Sequence, residues 1–369
     1  MKNKKLLSAL IGAVVIGSLL LFGITSCKKK EPETIKIGAI LPLTGPGAIF
    51  AQYIKEGIDL AVEQINKTFE LPIIVLYEDS KNQPKEGISA FNKLVTTEKP
   101  SVVVVALSSI AKALAPLAEP KKTVQIYIAV AIPNITDGKY TFRIYPEANG
   151  MAGVMARYNA THLKAKTSAV IYINDDFGKV SLEAYKKEFE VYGGKIVFEE
   201  SYELQQTDFR SAITKLKNIN PAPDVIYLNG YGLSYGIIIK QLKELGVKSQ
   251  LTADMTLGLP NTLEQVGNAA EGAYFVDGKM SPEFINLFKQ KYGKEPTSYA
   301  GYAYDIINIL AKISKEEKKL TSEIAKQGLL KVKNYQGAMG NITIQPDGDS
   351  NLEFVVKQIK NGSPLIVQQ

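Results

Sequence analysis

The sequence predicts an α/β protein with two doubly wound units, each built around a parallel sheet. Apolar runs of strand length alternate with amphipathic stretches of helical spacing along most of the chain. Residues 102 to 105 are four consecutive valines, which is typical of a strand that is buried on both faces. With 369 residues, the chain is too long for one such unit and has a suitable length for two.

The first predicted unit runs from residue 35 to residue 130. A glycine-rich turn at residues 43–48 separates its first strand from its first helix. We expect strands at 35–41, 71–77, 102–105 and 124–130, and helices at 51–65, at 87–95 and from residue 108 or 109 onward.

Two serines, Ser108 and Ser109, follow the valine run after Ala106 and Leu107. Ser108 or Ser109 is expected to be the N-cap of the next helix, because apolar residues then recur at helical spacing. A helix that begins at the carboxyl end of a parallel strand offers free N–H groups and a positive dipole end, and both suit a small carboxylate. The alternative is that the serines only cap the helix.

The second predicted unit follows a crossing at residues 141–146 and a helix at 147–163. Its strands are expected at 168–173, 195–202, 224–228, 250–252 and 272–276, and its helices at 178–191, 209–219 and 233–245. The pattern near the end predicts helices at 282–292, 298–314 and 322–329, then a hairpin of strands 341–345 and 352–358 around a turn at 346–349.

The N-terminus has the pattern of an export signal. Three lysines precede an apolar run from Leu6 to Gly23, so residues 1–26 are predicted to be a signal peptide. An uncleaved membrane anchor is the alternative. Residues 24–27, Ile-Thr-Ser-Cys, resemble a bacterial lipoprotein signal, which predicts lipidation at Cys27 and a short charged tether at 27–34.

Composition excludes several classes of protein. Cys27 is the only cysteine, so the fold must be stabilised by its core without internal disulfides. The formal net charge is +7, and it falls to +4 without the three lysines of residues 1–26. This modest excess does not indicate a nucleic-acid partner.

One enzyme motif is present, at Gly232-Leu-Ser234-Tyr-Gly236, which is the nucleophile-elbow pattern between a strand and a helix. A serine hydrolase also needs a histidine after the serine, whereas the only histidine, His162, precedes it and is expected at a solvated helix end. Asp175 and Asp176 form a carboxylate pair that we expect to be solvated. No metal-ligand spacing and no nucleotide-binding motif occurs. The sequence therefore predicts a protein that is not an enzyme and has no cofactor, with a Ser234 hydrolase as a remote alternative.

Aromatic residues follow several predicted strands. Phe50 and Tyr53 come after the first strand, Phe177 follows the strand at 168–173, and Tyr231 and Tyr235 follow the strand at 224–228. Tyrosine offers an apolar face and a hydrogen-bonding tip, which suit a small amphiphilic ligand. The alternative is ordinary packing between the units.

Several motifs in order carry a family resemblance. They include Ile37–Gly45 (IGAILPLTG), Tyr77–Ser80 (YEDS), the serine pair, Asn229–Tyr231 (NGY) and Tyr302–Asp305 (YAYD). With these motifs the chain resembles the branched-chain amino-acid-binding proteins of bacterial ABC importers, which have the type I periplasmic-binding fold. The resemblance covers nearly all of the chain from Thr34 onward.

The resemblance implies two lobes that are joined by three crossings and close on an amino acid. The N-terminal lobe would comprise residues 35–145 and 277–333, and the C-terminal lobe residues 146–276 and 334–369. It also implies a monomer that docks on the membrane subunits of an ABC permease.

The resemblance further implies a set of ligand-binding residues. Ser109 with Ser108 would hold the ligand carboxylate, Tyr231 would line the second lobe and Phe50 the mouth. The other implied positions are Ala129, Ala131, Phe177, Asp254 and Met255.

Two of these implied positions depart from the family pattern. Ala131 stands where the family has a hydroxyl residue, and Met255 stands where it has an acidic partner for the ligand ammonium. Either the adjacent Asp254 has taken that role or the ligand is not an α-amino acid, because a buried ammonium without a carboxylate is costly.

These observations predict a lipid-anchored solute-binding protein on the periplasmic or extracellular face of the cell envelope. Aliphatic amino acids are the leading ligands, and an aromatic acid or an amide is second. A sensory receptor lobe that acts on a partner protein is the alternative from another functional class.

Overall fold

The computed structural model describes residues 34–45 and 47–368. The predicted signal peptide and Cys27 lie outside the described residues. Among the described helices, none combines the length and the apolar character needed to cross a membrane.

A five-stranded parallel sheet forms the first lobe. The strand Val102–Ala106 lies at its centre, between the strands Ile35–Leu41 and Val124–Ile128. The strands in chain order are β1 (Ile35–Leu41), β2 (Ile73–Asp79), β3 (Val102–Ala106), β4 (Val124–Ile128) and β5 (Thr141–Arg143). All five residues of β3 are buried, which confirms the prediction from the valine run.

A seven-stranded sheet forms the second lobe, and five of its strands are mutually parallel. These are β6 (Thr167–Ile173), β7 (Lys195–Tyr202), β8 (Val225–Asn229), β9 (Gln250–Ala253) and β10 (Tyr274–Gly278). Two antiparallel strands, Phe354–Lys360 and Ser363–Gln368, extend this sheet beyond β10. The sequence analysis did not predict the last of these strands.

The predicted C-terminal hairpin is partly wrong. The turn exists, but the strand before it, Gly340–Ile344, pairs with Tyr335–Gly337 and with the short Ser350–Asn351 in a small sheet. The strand Phe354–Lys360 pairs with β10 of the second lobe. Local turn chemistry does not reveal this change of partner, because β10, with which the strand pairs, comes from a distant part of the chain.

Helices cover both sheets. The described α-helices in chain order are α1 (Ala48–Asn66), α2 (Pro84–Lys93), α3 (Ser108–Ala118), α4 (Ala148–Thr161), α5 (Asp176–Val191), α6 (Arg210–Lys217), α7 (Leu233–Glu244), α8 (Pro260–Val266), α9 (Pro282–Tyr292), α10 (Ser298–Glu317) and α11 (Ser322–Leu330). Helix α10 packs closely along α1, and α4 packs along α5. The helices predicted from periodicity are confirmed, with ends that differ by a few residues.

A buried arginine ties together the segments that connect the lobes. Arg143 is fully buried and donates hydrogen bonds to the carbonyl oxygens of Val130 (3.2 Å) and Ile132 (2.6 Å). Its Nε also donates to Asp349 (3.0 Å), and its guanidinium forms ion pairs with Glu147 and Asp349. The five donors of one guanidinium therefore hold the first crossing against the turn near the chain end.

The contact between α1 and α10 depends on a glycine. A Cβ at Gly57 would overlap the backbone carbonyl of Ala300, so the two helices can approach closely only without a side chain there. We predict that Gly57→Ala lowers the free energy of unfolding by about 1–3 kcal/mol, because overpacking forces the helices apart. Urea denaturation at constant temperature measures this change.

Gly153→Ala is the matched control. Gly153 also lies inside a helix, but its nearest neighbour is the flexible side chain of Glu188, at 3.9 Å from a Cβ. We expect this variant to be neutral or stabilised by up to about 1 kcal/mol, because alanine favours the helix. Equal stability of both variants would contradict the packing argument.

Candidate functional site

A cavity of about 420 Å³ lies between the carboxyl ends of the two parallel sheets. Residues that follow β3 and β4 line it from the first lobe, and residues that follow β6, β8 and β9 line it from the second. Open parallel sheets place their ligands at these strand ends, because free backbone groups and helix N-termini meet there. The cavity is therefore the candidate functional site.

The turn after β3 is strained. Leu107 has a φ of 75° and is the N-cap residue of α3, which begins at Ser108. The prediction that Ser108 or Ser109 is the N-cap is therefore wrong, because the serines occupy the first two positions of the helix. Non-glycine residues with positive φ are uncommon, and they cluster where a site requires a particular backbone path.

A second strained residue lies beside the first. Ala129, directly after β4, has a φ of 53°. The backbone N–H of Ala131 then donates to the hydroxyl oxygen of Ser108 at 3.2 Å. This hydrogen bond joins the ends of the two strands, and the exposed Ser109 lines the cavity at the start of α3.

The second lobe contributes a tyrosine held by a carboxylate. Tyr231 donates a hydrogen bond to Oδ2 of Asp175 at 2.7 Å, while Oδ1 of Asp175 accepts from the backbone N–H of Gly178 at 2.9 Å. Asp175 is thus the N-cap of α5. Burial raises the pKa of Asp175, and burial with the nearby Asp175 charge raises the pKa of Tyr231.

Asp254 lies beneath the cavity and does not line it. Its Oδ2 accepts from Gly230 N (2.7 Å) and Asn229 Nδ2 (2.9 Å), and its Oδ1 accepts from Thr256 N (2.9 Å) and the Tyr235 hydroxyl (3.3 Å). Because four internal donors already surround it, Asp254 serves to join the ends of β8 and β9. Burial raises its pKa to about 6.

Gly230 allows this junction to form. Its φ is 144°, and a Cβ there would overlap the hydroxyl of Tyr202. Only glycine both adopts this φ without strain and leaves space for the Tyr202 hydroxyl. The chain can therefore turn sharply after β8 and direct Tyr231 into the cavity.

Aromatic rings form most of the apolar wall. Phe50 packs edge-on against Tyr231 with ring centroids 6.0 Å apart, and it lies 5.1 Å from Tyr299. Tyr145 follows at 5.6 Å from Tyr299, and Phe177 lies 6.4 Å from Tyr231. Because Phe50 belongs to the first lobe and Tyr231 to the second, the rings connect the two sides of the cavity.

The structure brings most of the predicted site residues together. Eight of them line the cavity: Phe50, Ser108, Ser109, Ala129, Ala131, Phe177, Tyr231 and Met255. Of the nine, only Asp254 is absent from the lining. Their role as ligand contacts remains a prediction.

Other lining residues were not predicted as site residues. These include Asn82, Leu107, Tyr145, Met151, Asn174, Asp175, Asp176, Lys179, Thr256 and Tyr299. The expectation that Asp175 is solvated is wrong, and its place after β6 was a signal that could have found it. Tyr145 and Tyr299 come from a crossing segment and a distant helix, so no local pattern indicates them.

Comparison with known proteins agrees with this geometry. A family model described as periplasmic binding protein matches residues 34–363. The chain belongs to the periplasmic binding protein family. The predicted type I periplasmic-binding fold and the resemblance to branched-chain amino-acid-binding proteins are confirmed.

Relatives with known names match over nearly their full length. The chain is 26% identical to the leucine-, isoleucine-, valine-, threonine- and alanine-binding protein of Pseudomonas aeruginosa, over 96% of each sequence. The leucine-binding protein LivK of Thermotoga maritima superposes with a TM-score of 0.83 at 26% identity, over 90% of this chain and 97% of that one. LivJ of Streptococcus pneumoniae, solved with isoleucine, superposes with a TM-score of 0.83 at 25% identity, over 91% of this chain and 100% of that one.

As a member of this solute-binding family, the protein is not an enzyme. The hydroxyl of Ser234 is buried and lies within hydrogen-bond distance of the carbonyl oxygens of Glu203 (3.1 Å), Leu204 (2.7 Å) and Gln206 (2.7 Å). It therefore fastens a loop and does not face a substrate. His162 stacks on Tyr158 at the end of α4, as an exposed helix-terminal residue.

The pH dependence of stability follows from buried carboxyl groups. Burial raises the pKa of Asp254 to about 6 and that of Asp305 to about 7, from an ordinary value of 3.8. The folded state therefore binds more protons than the unfolded state in this range. We predict that the free energy of unfolding falls as the pH rises from about 5 to about 7, measured by urea denaturation at several pH values.

Two variants test whether the Asp305 carboxyl group causes this pH dependence. Asp305→Asn should flatten this pH dependence, because an amide does not titrate. It should also lower the free energy of unfolding at every pH, because the N–H of Ala338 or Met339 loses its acceptor. Asp79→Asn is the control, since hydrogen bonds from Thr44 and the Lys81 backbone outweigh burial and lower the pKa of Asp79. An unchanged slope in Asp305→Asn would refute the assignment.

Proposed function

We propose that this protein captures a small carboxylate-bearing solute, with aliphatic amino acids as the leading ligands, and delivers it to the permease of an ABC importer. The cavity between the two sheets is the observation that carries the proposal. Its volume of about 420 Å³ lies in the range of small-molecule sites.

The start of α3 suits the carboxylate of such a solute. The N-terminus of this 11-residue helix faces the cavity with free N–H groups and its positive dipole end. Ser109, at the second helical position, adds a hydroxyl donor. The named relatives support an amino acid as the ligand, because their names or the ligand in their structure include leucine, isoleucine or valine.

An aromatic acid is the second candidate ligand. Rings dominate the apolar wall, and Met255 stands where the family resemblance places an acidic residue. A flat ring packs well between such walls. This candidate needs no partner for an ammonium group.

Capture is proposed to work by closure of the lobes. Phe50 and Tyr231 touch across the cavity, and Lys112 of α3 pairs with Asp176 of α5 at 2.9 Å. A ligand that contacts both lobes favours the state in which they are closed. The exposed ion pair itself contributes little, about 0–1 kcal/mol.

We also propose that the chain is cleaved after residue 26 and lipidated at Cys27 on the outer side of a cell membrane. The mature protein is a monomer and docks on the permease subunits. The lobe boundaries at residues 35–145 with 277–333, and 146–276 with 334–369, also remain proposals. The extracytoplasmic family supports export.

A thermal-shift screen tests the proposed function. The purified protein is heated with amino acids, their amides and simple aromatic acids. A ligand at about a hundred times its dissociation constant stabilises the folded state by roughly 2.7 kcal/mol, which raises the melting temperature clearly. Absence of a shift with every carboxylate in the panel would contradict the proposed function.

Two substitutions test the site. We predict that Ser109→Ala and Tyr231→Ala each weaken binding about 10- to 100-fold, because a hydrogen bond to a charged group or an aromatic contact is lost. Isothermal titration calorimetry with the best ligand of the screen measures the change. Unchanged affinity in both variants would refute the site assignment.

The chain offers matched controls for both substitutions. Ser211 is an exposed serine at the second position of α6, and it therefore resembles Ser109 in all but its location. Tyr192 is 40% exposed at the far end of α5. Ser211→Ala and Tyr192→Ala should bind as the wild type does.

A further inference from the structure

We infer that Asp175 binds a positively charged group of the solute, so that the cavity selects zwitterionic amino acids over simple carboxylates. This inference rests on the proposed function and names its ligand class. The family resemblance placed an acidic residue for this role at the position of Met255. It left Asp254 as the substitute, or else a ligand that is not an α-amino acid. The structure points instead to another part of the second lobe.

Asp254 cannot take the role without losing its own partners. It is fully buried, and both of its oxygens already accept two hydrogen bonds from protein donors. The next residue, Met255, lines the cavity whereas Asp254 does not, and the Met255 sulfur accepts a hydrogen bond from the Tyr145 hydroxyl at 3.1 Å. A cation in the cavity would therefore meet Met255 and not the carboxylate.

Among the described residues, the carboxylates that line the cavity are Asp175 and Asp176. Asp176 is exposed and pairs with Lys112 at 2.9 Å, and its side chain is 59% accessible to solvent. Asp175 is more deeply placed, and none of the ion pairs among the described residues includes it. It is therefore the cavity carboxylate that no basic side chain among the described residues pairs with, and only the positive end of α5 offsets its charge in part.

The contacts of Asp175 leave room for further donors, one on each oxygen. Its Oδ1 accepts one hydrogen bond, from Gly178 N, and its Oδ2 accepts one, from the Tyr231 hydroxyl. Each carboxylate oxygen can accept two. Both present partners are neutral, and a partly buried carboxylate with neutral partners gains most from a cation.

The charges of the two lobes are complementary to a zwitterion. The start of α3, at Ser108 and Ser109, presents a positive dipole end on the first lobe, and Asp175 presents a negative charge on the second. An α-amino acid can contact both, with its carboxylate on one lobe and its ammonium on the other. A solute with only a carboxylate makes its charged contact on the first lobe alone. It lacks the second charged contact across the cavity and therefore favours closure less.

The aromatic rings beside Asp175 assist the same ligand. Phe177 and Tyr231 flank it and line the cavity. Ring faces attract cations, and the attraction grows as water is excluded. The side chain of the amino acid can then pack against Phe50 and Tyr299.

The experiment compares each amino acid with its deaminated counterpart. Calorimetry measures the dissociation constants of the full-length protein for leucine, isoleucine, valine and phenylalanine, and for matching carboxylates such as 4-methylpentanoate and 3-phenylpropanoate. We expect at least about 10-fold tighter binding of the preferred amino acid, because its ammonium forms a charge-assisted hydrogen bond. Asp175→Asn should remove this preference. It should weaken binding of the amino acid about 10-fold or more and leave the affinity for the matching carboxylate nearly unchanged.

Asp175→Asn removes the charge and keeps the local contacts, because asparagine is also a good N-cap and keeps an oxygen for Gly178 N–H. Its NH2 group can donate to the Tyr231 hydroxyl, which donates to Asp175 in the wild type. Its melting temperature without ligand reports whether the fold is retained. Asp208→Asn is the matched control, since Asp208 is exposed, lies outside the cavity lining just before α6, and accepts a hydrogen bond from the backbone N–H of Arg210. This control should retain the wild-type preference for the amino acid.

The outcomes separate this inference from the proposed function. Equal or tighter binding of the deaminated compounds by the wild type would overturn the role of Asp175 and leave a carboxylate-binding protein. Wild-type affinity for the amino acid in Asp175→Asn would overturn the inference in the same way. Absence of binding by every compound would remove the proposed function and the inference together.

Discussion

The path by which the chain leaves β3 determines how the site is built. The strand is buried on both faces, so no polar side chain is accommodated within it, and polar groups gather where it ends. At that point Leu107 adopts a positive φ and α3 starts immediately. This strained turn places the start of α3 at the cavity, and the hydrogen bond that the Ala131 N–H donates to Ser108 joins the ends of β3 and β4.

Buried side chains with several hydrogen-bond partners connect the junctions around this centre. Arg143 connects the crossing segments through two carboxylates and two carbonyls. Asp254 joins β8 to β9, and Asp305 anchors the small sheet to α10 by accepting the N–H groups of Ala338 and Met339. Removing one partner of such a network is costly, because the others remain buried without compensation.

The cavity differs from the one that the family resemblance implies. Met255 and Ala131 stand where the resemblance implies an acidic and a hydroxyl residue, and Asp175 places a carboxylate on another part of the second lobe. A binding site requires opposite charges at suitable positions, and it does not require them on particular strands. A solute that meets α3 on one lobe and Asp175 on the other would couple recognition to closure.

The strands and helices could be predicted with their approximate bounds, because burial imposes a period on each that is visible in the sequence. The serines after β3 and the tyrosine after β8 could also be placed at the cavity, because the carboxyl ends of parallel strands meet at one edge. The N-cap at Leu107 could not be predicted, because its positive φ is imposed by packing and has no local signal.

The tertiary structure likewise decided which strand pairs with Phe354–Lys360. It also decided how deeply Asp254 and Asp175 are buried. Adjacent acidic residues look alike in a sequence, whether internal donors surround them or a cavity exposes them. The sequence by itself therefore determined which residues form the sheets and which strand ends face the site. Only the three-dimensional packing decided which carboxylate is buried as a structural partner and which remains open to a ligand, because that difference depends on neighbours from distant segments of the chain.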